Sequence, residues 1–173
     1  MARSGYTVFV RAGLYDSELF PIRMKEKVKL LGTRKYGPTG FKVWVAGPDR
    51  LLYDYPIIHG GAVVAVPWLD DPTGTSRFVS VLGADYGYLE HFVIFVQDRA
   101  ASGTEDAVPA SGVHCNSTHP FIRYNTFKAI SGRRGHEGIQ LVGSSEPIVS
   151  YNTFTSRTLT WGMTVHGTSR PDV

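Results

Sequence analysis

His119-Pro-Phe-Ile-Arg-Tyr-Asn-Thr-Phe127 and Glu146-Pro-Ile-Val-Ser-Tyr-Asn-Thr-Phe154 are two copies of one motif. Each follows a Gly-led apolar stretch, Gly112-Val-His-Cys115 and then Gly138-Ile-Gln-Leu141. A third such stretch, Gly162-Met-Thr-Val165, leads to Arg170-Pro-Asp-Val173. Asn125 and Asn152 are 27 residues apart, and Pro147 and Pro171 are 24 apart. A period of this size, carried by short strands and turns, marks stacked repeats, in which each unit buries its apolar face only against its neighbours.

Strand-like stretches fill the rest of the chain. Tyr6–Arg11, Phe20–Met24, Lys27–Gly32, Phe41–Val45, Tyr55–Gly60, Ala62–Val66, Arg77–Gly83 and Glu90–Val96 are short, rich in β-branched and aromatic residues, and punctuated by Gly or Pro. No window keeps a helical period beyond a dozen residues. The Asn-Gly and Asp-Gly dipeptides that favour tight hairpins do not occur. Three short strands per coil, each landing on the coil before, satisfy the backbone through parallel ladders. That geometry stacks Val113, Ile139 and Met163 in one inward column and Cys115, Leu141 and Val165 in the next. It also sets Ile122 on Val149, Phe127 on Phe154, and Asn125 on Asn152 at a bend, where amides can form a ladder.

These residues resemble a right-handed parallel β-helix of the pectate-lyase-like type. Thr7-Val-Phe-Val-Arg-Ala-Gly-Leu-Tyr15, Phe20-Pro-Ile22 and Val28-Lys-Leu-Leu-Gly32 are similar to the opening of bacterial β-helix domains of uncharacterised role. Pro56-Ile-Ile-His-Gly-Gly61, Leu89-Glu-His-Phe-Val-Ile94 and the Asn-Thr-Phe repeats continue the likeness over nearly the whole chain. The expectation is all-β: a single-stranded solenoid of about five to six coils forming one domain over residues 1–173, without a full N-terminal cap and ending mid-coil. Uncapped ends expose ladder groups, so self-association through the open ends is expected. The resemblance implies an extracellular or cell-surface setting and a polysaccharide or oligosaccharide partner. It does not fix an activity, because such a scaffold carries many.

Composition agrees. Gly and Pro together make 29 of 173 residues, above the average share, while charged residues are 19%, below it. The net charge of +3 is spread over short clusters, which argues against nucleic acid as a partner. No stretch approaches the ~20 apolar residues of a membrane span, and Met1-Ala-Arg-Ser-Gly5 has no signal-peptide core. The single cysteine, Cys115, excludes an internal disulfide and reads as a small core residue.

The candidate chemistry follows the columns. His119, Glu146 and Arg170 each precede a repeat Pro, so adjacent coils bring an imidazole, a carboxylate and a guanidinium together, a set suited to proton transfer and carboxylate recognition. These are the candidate catalytic residues. A second outward column holds His114, Gln140 and Thr164, suited to sugar hydroxyls. The basic loop Ser131-Gly-Arg-Arg-Gly-His-Glu137 adds Arg133, Arg134 and His136 as candidate substrate contacts. Trp68-Leu-Asp-Asp71 sets two carboxylates side by side that could take calcium, though two acids alone fall short of the six to eight oxygens it needs. The histidines lack zinc spacing, so no metal site or cofactor is assigned. A glycan-binding or scaffolding module without catalysis is the preferred function. The alternatives are a polysaccharide lyase or hydrolase and a self-associating structural or adhesion piece.

Overall fold

The computed structural model describes residues 3–16, 19–33, 56–65, 76–96, 109–129, 136–155, 159 and 161–173. Every regular element among them is a strand. The first coil runs β1 (Thr7–Arg11), β2 (Gly13–Tyr15), β3 (Ile22–Arg23). The second runs β4 (Lys29–Thr33), β5 (Pro56–Ile58), β7 (Ser76–Leu82), with β6 (Ala62–Ala65) before β7. The third is β8 (Tyr88–Glu90), β9 (Val93–Val96), β10 (Ala110–Asn116). The fourth is β11 (Phe121–Arg123), β12 (Thr126–Ala129), β13 (His136–Val142). The fifth is β14 (Ile148–Ser150), β15 (Thr153–Phe154), β16 (Trp161–Val165). A bridge from Asp172 to Ile148 begins a sixth rung.

Corresponding strands of successive coils stack into three sheets. The first sheet is β1-β4-β8-β11-β14, the second β2-β5-β9-β12-β15, and the third β3-β7-β10-β13-β16. All pairings between coils are parallel. The chain is therefore an all-β parallel solenoid with the geometry of a β-helix. The exception is β6, an insertion within the second coil that pairs antiparallel with the first half of β7, Ala62 opposite Val79. On the same edge of β7, β3 pairs with the second half, at Val81 and Leu82.

The columns read from the repeats are in register. Val113 pairs with Ile139 and Ile139 with Met163, and Cys115 pairs with Leu141 and Leu141 with Val165. Leu89, Ile122 and Val149 form a column in the first sheet, and Ile94, Phe127 and Phe154 one in the second. Most of these side chains are fully buried in one continuous core. Gly112 of the third sheet packs closely against the second. Ala110, Val113 and Cys115 all belong to the core, and a Cβ on Gly112 would stand 3.0 Å from the Phe127 ring and 3.1 Å from Val96. Gly112 and Val113 thus face inward in succession, and only a residue without a side chain fits the first of those two positions.

Candidate functional site

The first sheet carries an open outer face. Leu89, Ile122 and Val149 point into the core, so the alternation of a strand turns Tyr88, Glu90, Phe121, Arg123, Ile148 and Ser150 outward. Tyr88 lies flat on Phe121, ring centroids 4.2 Å apart and planes 4° apart. Lys29 Nζ stands 4.5 Å from the Tyr88 centroid, and the Arg123 guanidinium lies 5.5 Å from Tyr88 and 5.8 Å from Phe121. Cations at these distances are held by the ring quadrupole. Arg123 is also fixed by Glu90, whose Oε1 accepts from Nε at 2.9 Å and from Nη2.

Turns edge this face on both sides. On one, His91, Tyr124 and Tyr151 stack in succession at 5.2 and 4.9 Å. All three have positive φ, between 55° and 63°, the left-handed conformation that lets each turn close and aims the ring outward. Beneath them Asn125 and Asn152 form the expected ladder. Asn125 Nδ2 donates to Leu89 O and to Asn152 Oδ1, and its own Oδ1 accepts from Phe92 N. Asn152 repeats the pattern one coil on, donating to Ile122 O and accepting from Asn125 N.

The other edge carries Tyr86, His119, Glu146 and Arg170, two residues ahead of the paired positions Tyr88, Phe121, Ile148 and Asp172. His119 sits between two carboxylates. Asp85 Oδ1 accepts from the His119 backbone N–H and lies 2.9 Å from its Nδ1, while Nε2 stands 3.8 Å from Glu146 Oε2. The Asp85 carboxylate accepts at Nδ1, which orients the ring so that Nε2 faces Glu146. The His119 bond in turn holds the Asp85 carboxyl below its usual range. Two of the three residues read from the Pro column are thus brought together. Arg170 stands on the next rung and, among the described residues, makes no ion pair within 4.0 Å. Asp85 is not legible from the repeat, because its coil has Gly87 where the later coils have Pro120 and Pro147.

The second expected column is not the open polar surface its sequence suggests. His114 and Gln140 pair in register opposite Leu82 and Thr164 and alternate with the core residues Val113 and Cys115, yet they are 4% and 0% exposed. His114 Nδ1 lies 2.8 Å from Gln140 Oε1, which Ser111 Oγ also approaches at 3.4 Å. Beside them a buried ion pair joins Arg77 Nη1 to Glu137 Oε1 at 3.0 Å, and Thr164 Oγ1 donates to Glu137 Oε2 at 2.9 Å. Burial, reinforced by the charge of Arg77, lowers the His114 pKa against the opposing effect of the Gln140 bond.

The sequence pattern assigns His136 and Glu137 to a basic loop. They instead open β13, and His136 is 1% exposed in register with Ala110, itself opposite Phe78; both neighbours are core residues. That register removes His136 from any surface subsite. Arg133 and Arg134, the Trp68–Asp71 stretch and the expected Phe41–Val45 strand lie outside the described residues. Among the described residues no three His, Cys, Asp or Glu side chains are grouped to hold a metal ion, and no helix is long and apolar enough to cross a membrane. Cys115 is fully buried with its thiol pKa pushed up to about 12 by desolvation, the opposite of an activated nucleophile.

No family model, curated protein or solved structure matches the chain.

Proposed function

We propose that the chain is a glycan-binding module that lays an extended polysaccharide along the outer face of the first sheet. One observation carries this: stacked aromatic side chains form a line that runs with the solenoid axis, Tyr88 on Phe121 in the floor and His91, Tyr124 and Tyr151 along the edge, each ring covering its neighbour's face and turning an edge outward. Tyr124 and Tyr151 are 46% and 75% exposed. Exposed rings with a polar tip suit a partner that presents apolar C–H faces and hydroxyls together, as pyranose rings do. Lys29 adds positive charge over the floor, since the Arg123 charge is balanced by Glu90, and this favours acidic sugars. The resemblance of the repeats to pectate-lyase-like β-helix domains supports the same partner class.

The test is retention on a panel of neutral and acidic polysaccharides by affinity electrophoresis, with a Tyr124→Ala/Tyr151→Ala variant alongside. Binding to at least one polysaccharide is expected, weakened on the order of tenfold in the variant, since each aromatic contact contributes about 0.5–1.5 kcal/mol beyond area burial. Retention on none of them, or equal retention of the variant, would defeat the proposal.

A second reading, a polysaccharide-active enzyme, is favoured by Asp85, His119 and Glu146 on three adjacent coils. An imidazole oriented by one carboxylate and facing another is an arrangement able to pass a proton to or from a bound sugar. Product release that is lost in Glu146→Gln, with polysaccharide retention intact, selects this alternative. Retention without product selects the binder.

A further inference from the structure

A separate cavity of about 340 Å³ opens beside the third sheet, away from the aromatic face. Arg23, His114, Asn116 and Thr118 line it with polar groups, and Met24, Val64 and Leu82 supply apolar wall. It lies where β3 and β6 share one edge of β7 and β10 pairs with the other, so four strands of three coils converge on it.

We propose that this cavity binds a small hydroxylated carboxylic acid, of the size of one sugar acid. Arg23 is exposed and offers the paired N–H groups that match a carboxylate in two parallel bonds. His114 faces the cavity with its Nδ1 committed to Gln140 Oε1, so Nε2 is left to accept a hydrogen bond from a ligand hydroxyl. The depressed His114 pKa keeps that nitrogen unprotonated near neutral pH. Asn116, which is exposed, can donate and accept, which suits a further ligand hydroxyl group. A cavity with apolar walls and a few convergent polar groups is the usual form of a small-molecule site. The site does not depend on the aromatic face for its ligand.

The experiment titrates D-galacturonate, D-galactose and inorganic phosphate into the full chain, with binding followed by calorimetry and by the imidazole resonances. Galacturonate should bind saturably and shift the His114 signal, with galactose and phosphate weaker by about tenfold, the worth of a lost charge-assisted bond or of unmet hydroxyl contacts. Arg23→Gln should remove that preference while leaving polysaccharide retention on the first sheet unchanged. Asn116→Ala, an exposed change, should weaken galacturonate without altering the fold. Absence of saturable binding overturns the proposal, as does undiminished galacturonate binding by Arg23→Gln. Phosphate binding as tight as galacturonate, or shifts confined to Tyr88 and Tyr124, would equally overturn it.

Discussion

Phe127 lies on Phe154 with ring centroids 5.0 Å apart and planes 12° apart, one coil above the other. The two rings occupy equivalent positions of the repeat, but their burial differs: Phe127 is fully buried and Phe154 is 37% exposed, because a further coil covers only the first. Position in the stack, more than residue type, should then set the cost of truncation. Phe127→Ala is expected to destabilise by about 3–5 kcal/mol, and Phe154→Ala by clearly less. Urea unfolding followed by circular dichroism checks this. Equal costs at the two positions would contradict the stacking order.

Asn125 satisfies backbone groups inside the turn that joins the first and second sheets in the third coil. Its side chain accepts from Phe92 N at 3.0 Å and donates to Leu89 O at 2.8 Å. Asn125→Ala should strand both groups at a cost of about 1–3 kcal/mol each. Asn125→Asp keeps the acceptor but loses the donor, and should rank between alanine and wild type. Comparing the two variants' unfolding midpoints decides it. An aspartate variant no more stable than the alanine one would show that losing the bonds donated to Leu89 O and Asn152 Oδ1, with a carboxylate buried in their place, outweighs the bond kept from Phe92 N.

The register was legible because the repeat aligns it directly: Asn125 set on Asn152 fixes the first two sheets at an offset of 27, and Val113 set on Ile139 fixes the third at 26. The outer surfaces were less legible. Alternation correctly turned His114 and Gln140 away from Val113 and Cys115, but it cannot say whether another segment lies over an outward face, and here both are buried. Ala62–Val66 reads as a strand, but its antiparallel pairing as β6 is invisible to a repeat, being an insertion present in one coil among the described residues. Asp85 escaped because its coil lacks the Pro that marks the column of His119 and Glu146, although Tyr86 shares the left-handed turn conformation of Lys27 one coil earlier.

The Arg77–Glu137 pair is buried on both sides, at 10% and 3% exposure. Removing one charge leaves the other in a medium that solvates it poorly, so Glu137→Gln should destabilise by about 3–5 kcal/mol. Glu137 also accepts from Thr164 Oγ1, and Thr164→Val should cost about 1 kcal/mol by itself. The double variant is expected to cost less than the sum, because both changes act on one carboxylate. A sum that is strictly additive would show that Thr164 and Glu137 do not act through their shared bond.

His114 gives the fold a defined response to acid. Its folded pKa lies below the 6.5 of the free side chain, chiefly through burial and secondarily through the charge of Arg77, with the Gln140 bond opposing both. Below pH 6.5 the unfolded chain takes up a proton at this position while the folded chain does not, so the unfolded state binds more protons. Stability then rises with pH across that interval and falls as pH is lowered toward the folded pKa. The charged groups that neighbour His114 are Arg77, paired with Glu137, and Arg23, which lines the same cavity. Replacing His114 with Gln should therefore flatten the slope of the unfolding midpoint between about pH 5 and 7, whatever it does to the absolute stability. His136 and the other histidines are common to both proteins and cancel in the comparison. A slope unchanged by His114→Gln would mean that the imidazole is protonated alike in the folded and unfolded chains, and that its bond to Gln140 forms as readily with the cation.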